Sequence, residues 1–150
     1  MHNFNNTSNE IKGDRMSPSP PPIAALTRIN SSIKDLFVYL YDLGPAELDL
    51  LFILIKEGKP VSLEKLAKIA DRDKSTVFRS LQKMVNQGIC NKETRSIKQG
   101  GYYHEYSAVD MATFKAETER KVKELQKSLD RLMRKFEDDM QKMIASFYQE

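Results

Sequence analysis

The sequence predicts a mainly helical α+β domain that carries a small β-hairpin and is followed by one long helix. Three observations predict this fold class. Apolar residues recur at helical spacing in four successive segments between Ile23 and Gly88. The pair Gly100-Gly101 then separates two short segments with strand character. From Asp110 to the end, the chain has neither glycine nor proline and repeats an apolar residue every three or four positions.

The composition narrows the classes of function before any motif is considered. The 150 residues are 40% hydrophobic and 30% charged, which is typical of one soluble globular domain. No apolar run approaches the roughly 18 to 20 residues of a membrane span, and no secretory signal is evident, so we expect a cytoplasmic protein without a membrane partner. One cysteine and two histidines leave too few ligands for a metal site. Without a phosphate loop or a catalytic set, we expect neither an enzyme nor a cofactor.

The N-terminal part of the chain predicts a tail and two helices. Residues 1–22 are rich in Asn, Ser and Pro and predict a disordered tail. Helical periodicity predicts a first helix over Ile23 to Leu43. Pro45 suits the first turn of a second helix, Ala46 to Glu57. The apolar face of this second helix is predicted to consist of Leu48, Leu51, Phe52 and Ile55.

The next two segments predict a helix-turn-helix. Ser62 is a candidate N-cap for a helix over Leu63 to Ala70, with Leu63, Leu66, Ala67 and Ala70 facing inward. After a short turn, Asp73 is the candidate N-cap of a second helix, residues 74–87, which Gly88 ends. Two short helices joined by such a turn, the second of them basic, are typical of a DNA-binding motif.

The second of these helices, residues 74–87, has two distinct faces. The apolar residues Val77, Leu81, Met84 and Val85 lie on one side of the helix, where they can pack on a core. Hydroxyl and basic side chains lie on the other side, and these groups bind base edges and phosphates. Residues 72–109 carry seven basic and three acidic side chains, whereas the remainder of the chain is near neutral. The candidate DNA-binding residues in and before the helix are Arg72, Lys74, Ser75, Thr76, Arg79, Ser80 and Lys83.

A hairpin follows this helix directly. Strand character over Ile89 to Ile97 and Tyr102 to Val109, around the Lys98 to Gly101 turn, predicts a basic wing. Arg95 and Lys98 lie on or near the tip of this wing, residues 95–101. Residues 23–109 are therefore predicted to form one DNA-binding domain with its leading helices.

The C-terminal segment, residues 110–150, predicts a dimerisation helix. About 39 residues at 1.5 Å each would span roughly 58 Å, longer than one small domain can cover. The alternative is a helix folded back on its own domain. The apolar seam is spaced by three or four residues, with a doubled four that acts as a stutter. Its residues, the candidate dimer interface, are Val122, Leu125, Leu129, Leu132, Phe136, Met140, Met143 and Phe147.

The order of elements resembles the winged helix-turn-helix transcription regulators of the MarR and TrmB-like type, especially small archaeal members with a C-terminal dimerisation helix. Four short stretches carry the resemblance, which covers roughly residues 23 to 148: SLEKLA at 62–67, STVFRSL at 75–81, GI at 88–89 and GGYY at 100–103. The resemblance implies major-groove positions for Ser75, Thr76, Arg79, Ser80 and Lys83. It also implies that Arg95 and Lys98 occupy a wing that reaches the DNA backbone or minor groove. It also favours antiparallel dimer helices. It does not extend to the sugar-binding domain of larger TrmB proteins.

Together these patterns predict a homodimeric, sequence-specific regulator that binds an inverted repeat in double-stranded DNA and is nucleoid-associated. The alternative is a winged-helix module that binds protein partners in an assembly without reading DNA. An effector, the operator and the direction of control are open. Cys90 is either a redox sensor beside Lys92 and Arg95 or a small apolar residue of the first wing strand. Phe78 is expected to pack in the core rather than to contact bases.

Overall fold

The fold is described here from a computed structural model that covers residues 23–148. The predicted tail, residues 1–22, lies outside the described residues. Six α-helices and three strands follow a short 3₁₀ turn at Ile23–Thr27, and no helix among these residues is long and apolar enough to cross a membrane. The elements in chain order are α1 Ile33–Tyr41, α2 Pro45–Glu57, β1 Val61–Ser62, α3 Leu63–Ala70, α4 Lys74–Asn86, β2 Cys90–Ser96, β3 Tyr102–Ala108, α5 Met111–Arg134 and α6 Phe136–Phe147.

The helix-turn-helix and the wing form where the sequence predicts them. The Ser62 hydroxyl accepts a hydrogen bond from the Lys65 amide at the start of α3, as expected of an N-cap. Gly88 adopts a φ of +78° after α4, a left-handed conformation that glycine adopts without strain. These local signals confirm the predicted bounds of α3 and α4 to within a residue.

The sheet has one strand more than the predicted hairpin. β2 and β3 pair along their whole length, from Cys90 opposite Ala108 to Ser96 opposite Tyr102. The segment around Val61, predicted as an extended link, instead adds a short antiparallel strand on the other side of β3, giving the order β1-β3-β2. A strand of two residues is too short to be predicted from a sequence pattern. Because Val61 pairs with Tyr106, this strand connects the start of α3 to the wing.

The core lies between α1, α2, α4 and the sheet. Val77, Leu81 and Met84 of α4 are fully buried, which confirms the predicted inward face of that helix. On α2 the predicted face is only half right, because Phe52 and Ile55 are exposed. The fully or nearly fully buried residues of α2 are Leu48, Leu50, Leu51 and Leu54. This helix is surrounded on more than one side, so its buried face is wider than one stripe.

The predicted first helix, Ile23 to Leu43, is interrupted. The 3₁₀ turn ends at Thr27 and α1 begins only at Ile33, after a capping box in which the Asp35 carboxylate accepts from the Ser32 backbone amide at 2.8 Å. This cap stabilises a new helix start and explains why helical periodicity alone overestimates the length of the helix.

The predicted single C-terminal helix is also divided. Lys135, with φ −96° and ψ 0°, separates α5 from α6 at the stutter of the apolar seam. Basic side chains, Arg131 and Arg134, occupy the last turn of α5. Acidic ones, Glu137, Asp138 and Asp139, occupy the first turn of α6. These charges match the dipoles of two separate helix ends, which provides a physical reason for the division.

The beginning of α5 is part of the domain core. The Phe114 ring packs edge-on against Phe37, with their centroids 5.0 Å apart. The hydroxyls of Tyr41 and Thr118 share a buried hydrogen bond of 2.7 Å between α1 and α5. After Thr118 no residue of α5 or α6 within the described chain is buried, so the rest of both helices extends beyond the core.

Candidate nucleic-acid interface

The start of α4 is held by Asp73. Its Oδ1 accepts from the backbone amides of Ser75 and Thr76 at 3.0 and 3.1 Å, and both hydroxyls also donate to this carboxylate. Hydrogen bonds from the Ser75 and then the Thr76 hydroxyl hold the pKa of Asp73 well below its usual range. The two hydroxyls predicted to face the groove are therefore used, in this structure, to form the helix cap.

Arg79 is available for a ligand. Its side chain is exposed and makes no ion pair or side-chain hydrogen bond with any described residue. The next residue differs from expectation, because Ser80 is only 7% exposed and lies on the buried side with Val77 and Met84. Its predicted place on the polar face is wrong. The residue stands three positions after Val77, so helical periodicity points it inward.

Lys83 and Gln87 connect α4 to the α1–α2 loop. The Lys83 ammonium donates to the Asp42 carbonyl and lies 3.3 Å from the Glu47 carboxylate. The Gln87 amide donates to the Tyr41 carbonyl at 2.6 Å. Lys83 was predicted to be a cation on the free face, but it is half-buried and acts as a structural brace. Its partners are about 40 positions earlier in the chain, which no local pattern reveals.

Two more predicted cations lie at the edge of the helix-turn-helix. Arg72 stands 3.5 Å from Asp49 of α2, and Lys74 stands 3.8 Å from Glu64 of α3. Both pairs are partly or largely exposed. Exposed ion pairs contribute about 0 to 1 kcal/mol, so an approaching phosphate could compete for either cation.

The wing contains one compensated cation and two free ones. Arg95 donates to Glu93 at 2.7 Å and to Glu105 at 2.9 Å, and these contacts raise its pKa. Glu93 and Glu105 are direct partners across the β2–β3 ladder, so Arg95 relieves the repulsion between them. This differs from the expected free cation. Lys92 and Lys98 are exposed and form no ion pair with the described part of the chain.

Sequence reasoning did not select three exposed residues on the same face of α4. Gln82 follows Ser75 by two helical turns and Arg79 by three residues, so helical spacing could have identified it. Asn86 lies one turn later. Phe78 was expected in the core, yet 38% of it is exposed. A cavity of about 90 Å³ lies beside it, between α4 and the wing, lined by Phe78, Gln82, Val85, Asn86, Lys92 and Tyr106.

Cys90 lies in the core at the start of β2. It is 3% exposed, and burial raises the pKa of its thiol to about 12. The structure therefore favours the small apolar role over the redox role. Among residues 23–148, no group of three or more His, Cys, Asp or Glu side chains is arranged to hold a metal ion.

The predicted dimer seam is solvent-exposed in the single chain. From Leu125 to Phe147 its large apolar residues are between 38% and 80% exposed, and Met133 and Ile144 beside the seam are 67% and 51% exposed. An apolar groove of about 600 Å³ lies between α1 and the first half of α5. Its main apolar lining residues are Ile33, Leu36, Phe37, Met111, Phe114 and Val122.

Comparison with known proteins agrees with this architecture. The family model described as "Sugar-specific transcriptional regulator TrmB" matches residues 40–112, which include the helix-turn-helix and the wing. A solved structure of a possible transcriptional regulator from Methanosarcina mazei superposes with a TM-score of 0.61 at 21% identity, over 74% of this chain and 93% of that one. A second, a protein from Sulfolobus tokodaii, has a TM-score of 0.52 at 22% identity, over 64% and 93%.

The chain thus has a winged helix-turn-helix fold, and the family-model match supports the resemblance to MarR/TrmB-like regulators seen in the sequence. It is also similar to an uncharacterised protein of Methanocaldococcus jannaschii. The two are 26% identical over 106 residues, which are 71% of this chain and 76% of the relative.

Proposed function

We propose that the chain is a transcription regulator that binds double-stranded DNA sequence-specifically, as a homodimer on an inverted repeat. The observation that carries this proposal is the exposed cation Arg79 on the outer face of α4, which, like the hairpin cations Lys92 and Lys98, forms no ion pair with residues 23–148. A helix with its outer face exposed can enter a major groove, while the wing cations can contact the adjacent backbone.

The proposed division of labour is that Arg79 contacts a base edge and Lys98 contacts a phosphate. Replacing Arg79 with alanine should reduce the ratio of cognate to random affinity, since a bidentate contact with guanine is worth about 1–3 kcal/mol. Replacing Lys98 with alanine should weaken both affinities by a similar factor. Fluorescence anisotropy with labelled duplexes measures both, and Lys142→Ala on α6 serves as the control for loss of one positive charge.

Equal changes in specificity for Arg79→Ala and Lys98→Ala would contradict this division of labour. The second candidate function, a protein-interaction module, is supported by the same exposed cations meeting an acidic partner. In that case random DNA would not compete with the partner, and neither substitution would affect DNA affinity.

The dimer is proposed to be antiparallel through α5 and α6. In an antiparallel pair centred on Leu129, residue i lies opposite residue 258 − i of the second copy. Phe136 then lies opposite Val122, and Phe147 opposite Met111. The apolar face of α6 is therefore aligned with the half of α5 that borders the α1–α5 groove. Covering these exposed faces would remove a large apolar patch from water.

Charges do not select this register. It aligns Arg134 with Glu124 of the second copy and Glu137 with Lys121, but also Lys135 with Lys123 and Asp139 with Glu119. The proposed register therefore rests on the apolar residues. With α5 and α6 joined in this way, two copies of α4 could read successive major grooves about 34 Å apart.

Engineered cysteines test the register directly. In an antiparallel pair centred on Leu129, Leu129→Cys should form an intermolecular disulfide, whereas Leu125→Cys and Leu132→Cys should not. In a parallel pair all three positions would face their own copies and crosslink alike. Absence of any crosslink, together with a monomer mass in sedimentation equilibrium, would exclude the dimer. The native Cys90 is buried and does not interfere.

A further inference from the structure

The exposed face of α4 carries few groups that can distinguish one base pair from another. Ser80 is buried, and Lys83 is bonded to the α1–α2 loop. The Ser75 and Thr76 hydroxyls donate to Asp73, so both protons are occupied. Beyond the first turn of α4, the exposed side chains that remain are Phe78, Arg79, Gln82 and Asn86.

Three of these residues are close enough together to read one short stretch of duplex. Phe78 and Gln82 are one helical turn apart on the same face, about 6 Å along the axis. Arg79 precedes Gln82 by three residues, or about 4.5 Å. Since base pairs are stacked about 3.4 Å apart, the three side chains face a window of roughly two to three base pairs.

Each of these side chains has a preferred base in the major groove. A glutamine side-chain amide donates only one hydrogen bond to an isolated acceptor such as N7 or O6. With adenine it forms two hydrogen bonds, one with N6 and one with N7. An arginine pairs with the O6 and N7 of guanine, and a phenylalanine ring contacts the 5-methyl group of thymine. Phe78, Arg79 and Gln82 therefore each prefer a different base.

We infer that Gln82 and Phe78 are specificity-determining residues, and that each half-site contains an adenine read by Gln82 and a thymine methyl contacted by Phe78, within about three base pairs of the guanine read by Arg79. This inference rests on the proposed function and adds the class of DNA sequence. It departs from the sequence prediction, in which Arg79 reads DNA together with hydroxyls and lysines and Phe78 packs in the core.

The surroundings of Phe78 support an apolar contact. The cavity beside it lies between α4 and the wing, and Val85 and Tyr106 form part of its wall. Its volume of about 90 Å³ exceeds that of one water molecule, roughly 30 Å³, and so admits a small group such as a methyl. Lys92 lines the same cavity and can contact a phosphate while the ring meets the base.

Base analogues in the duplex test each contact separately. The full chain is first used to select a motif from a random duplex library. Single adenines of that motif are then replaced by 7-deazaadenine, which lacks N7, and single thymines by uracil, which lacks the methyl group. We expect one 7-deazaadenine to lower affinity on the order of tenfold. We expect one uracil to lower affinity about fourfold, the effect of one methyl group.

Variants assign these losses to residues. In Gln82→Ala the sensitivity to 7-deazaadenine should disappear at that position, and in Phe78→Ala the sensitivity to uracil should disappear. Gln141→Ala, an exposed glutamine of α6, is the matched control and should keep both sensitivities. Circular dichroism of each variant checks that it is folded.

The outcomes separate the inference from the function on which it rests. If no motif is enriched and affinity for DNA is absent, the proposed function fails. If a motif is enriched and the wild type tolerates every analogue, or if Gln82→Ala and Phe78→Ala lose affinity without losing their analogue sensitivities, only the inference is overturned.

Discussion

Tyr41 joins three elements at a single residue. Its hydroxyl is bonded to Thr118 of α5, and its carbonyl accepts from Gln87 directly after α4. The Lys121 ammonium lies 5.2 Å from the centroid of its ring, within cation–π distance. A displacement of α5 would therefore be transmitted to the end of α4 through Tyr41, by its hydroxyl and its backbone carbonyl.

Replacing Tyr41 with phenylalanine should lower the free energy of unfolding by about 1 kcal/mol, the typical net value of a buried neutral hydrogen bond. Tyr39 is the matched control. Its hydroxyl oxygen is buried and has no hydrogen-bond partner among residues 23–148. Tyr39→Phe should therefore leave the free energy of unfolding nearly unchanged or raise it. Urea unfolding followed by circular dichroism measures both, and a larger loss for Tyr39→Phe would contradict the assignment.

Cys90 should be unreactive in the folded protein. Since burial raises the pKa of its thiol to about 12, almost no thiolate exists at neutral pH, and the sulfur is also shielded. A colorimetric thiol reagent should react with it only as fast as the protein unfolds, and rapidly in denaturant. Lys127→Cys on the exposed surface of α5 provides the accessible control. Equal reaction rates for the two thiols in the folded protein would instead support the redox-sensor role for Cys90.

At the scale of elements, the Asp73 cap determines where α4 begins. Its pKa is held below the ordinary value of 3.8, so the folded state binds a proton less readily than the unfolded chain. The stabilisation is therefore fully present above pH 3.8 and is lost progressively as the pH falls below it.

Asp73→Asn should reduce the loss of unfolding free energy between pH 5 and pH 3, because asparagine can cap the helix without titrating. The decline should not vanish, since hydrogen bonds from the Thr113 amide and hydroxyl also lower the pKa of Asp110. Asp130→Asn on the exposed surface of α5 is the comparison variant. Urea unfolding at the two pH values measures the difference, and an unchanged decline in Asp73→Asn would contradict the role of this carboxylate.

Elements marked by local signals were predictable from the sequence. Ser62 and Asp73 are N-caps whose chemistry acts within three residues, so α3 and α4 were located correctly. The short strand at Val61 was missed because its only signal is its pairing with Tyr106, far along the chain. The division at Lys135 had a readable signal in the change from basic to acidic residues, but continuous apolar spacing masked it.

The sequence predicts where the candidate site lies, but it identifies only some of the residues that form it. Helical periodicity places Arg79 outward and, applied strictly, also places Ser80 inward and Gln82 outward. Periodicity cannot reveal that Lys83 is bonded to Asp42 and Glu47, since those contacts depend on how the helices pack. Charge counts likewise treat Arg95 as a free cation, although two neighbouring carboxylates compensate it.

On the scale of the whole molecule, the uncompensated cations and the exposed apolar seam lie on different parts of the chain. The cations are on α4 and the wing, and the seam is on α5 and α6. This separation suits a protein that uses one surface to bind DNA and another to pair with its own copy. In a dimer, the candidate phosphate contacts are doubled, and the principal ones in each copy are Arg72, Lys74, Lys92 and Lys98.

The salt dependence of DNA affinity tests this account most directly. If two copies of these cations make on the order of 6 to 8 phosphate contacts, the logarithm of the association constant should fall with the logarithm of salt concentration at a slope of about −5 to −7. Fluorescence anisotropy of the full chain on a labelled duplex across a salt series measures the slope. A steep linear fall is the predicted result, and a flat response, or no binding at low salt, would contradict the account.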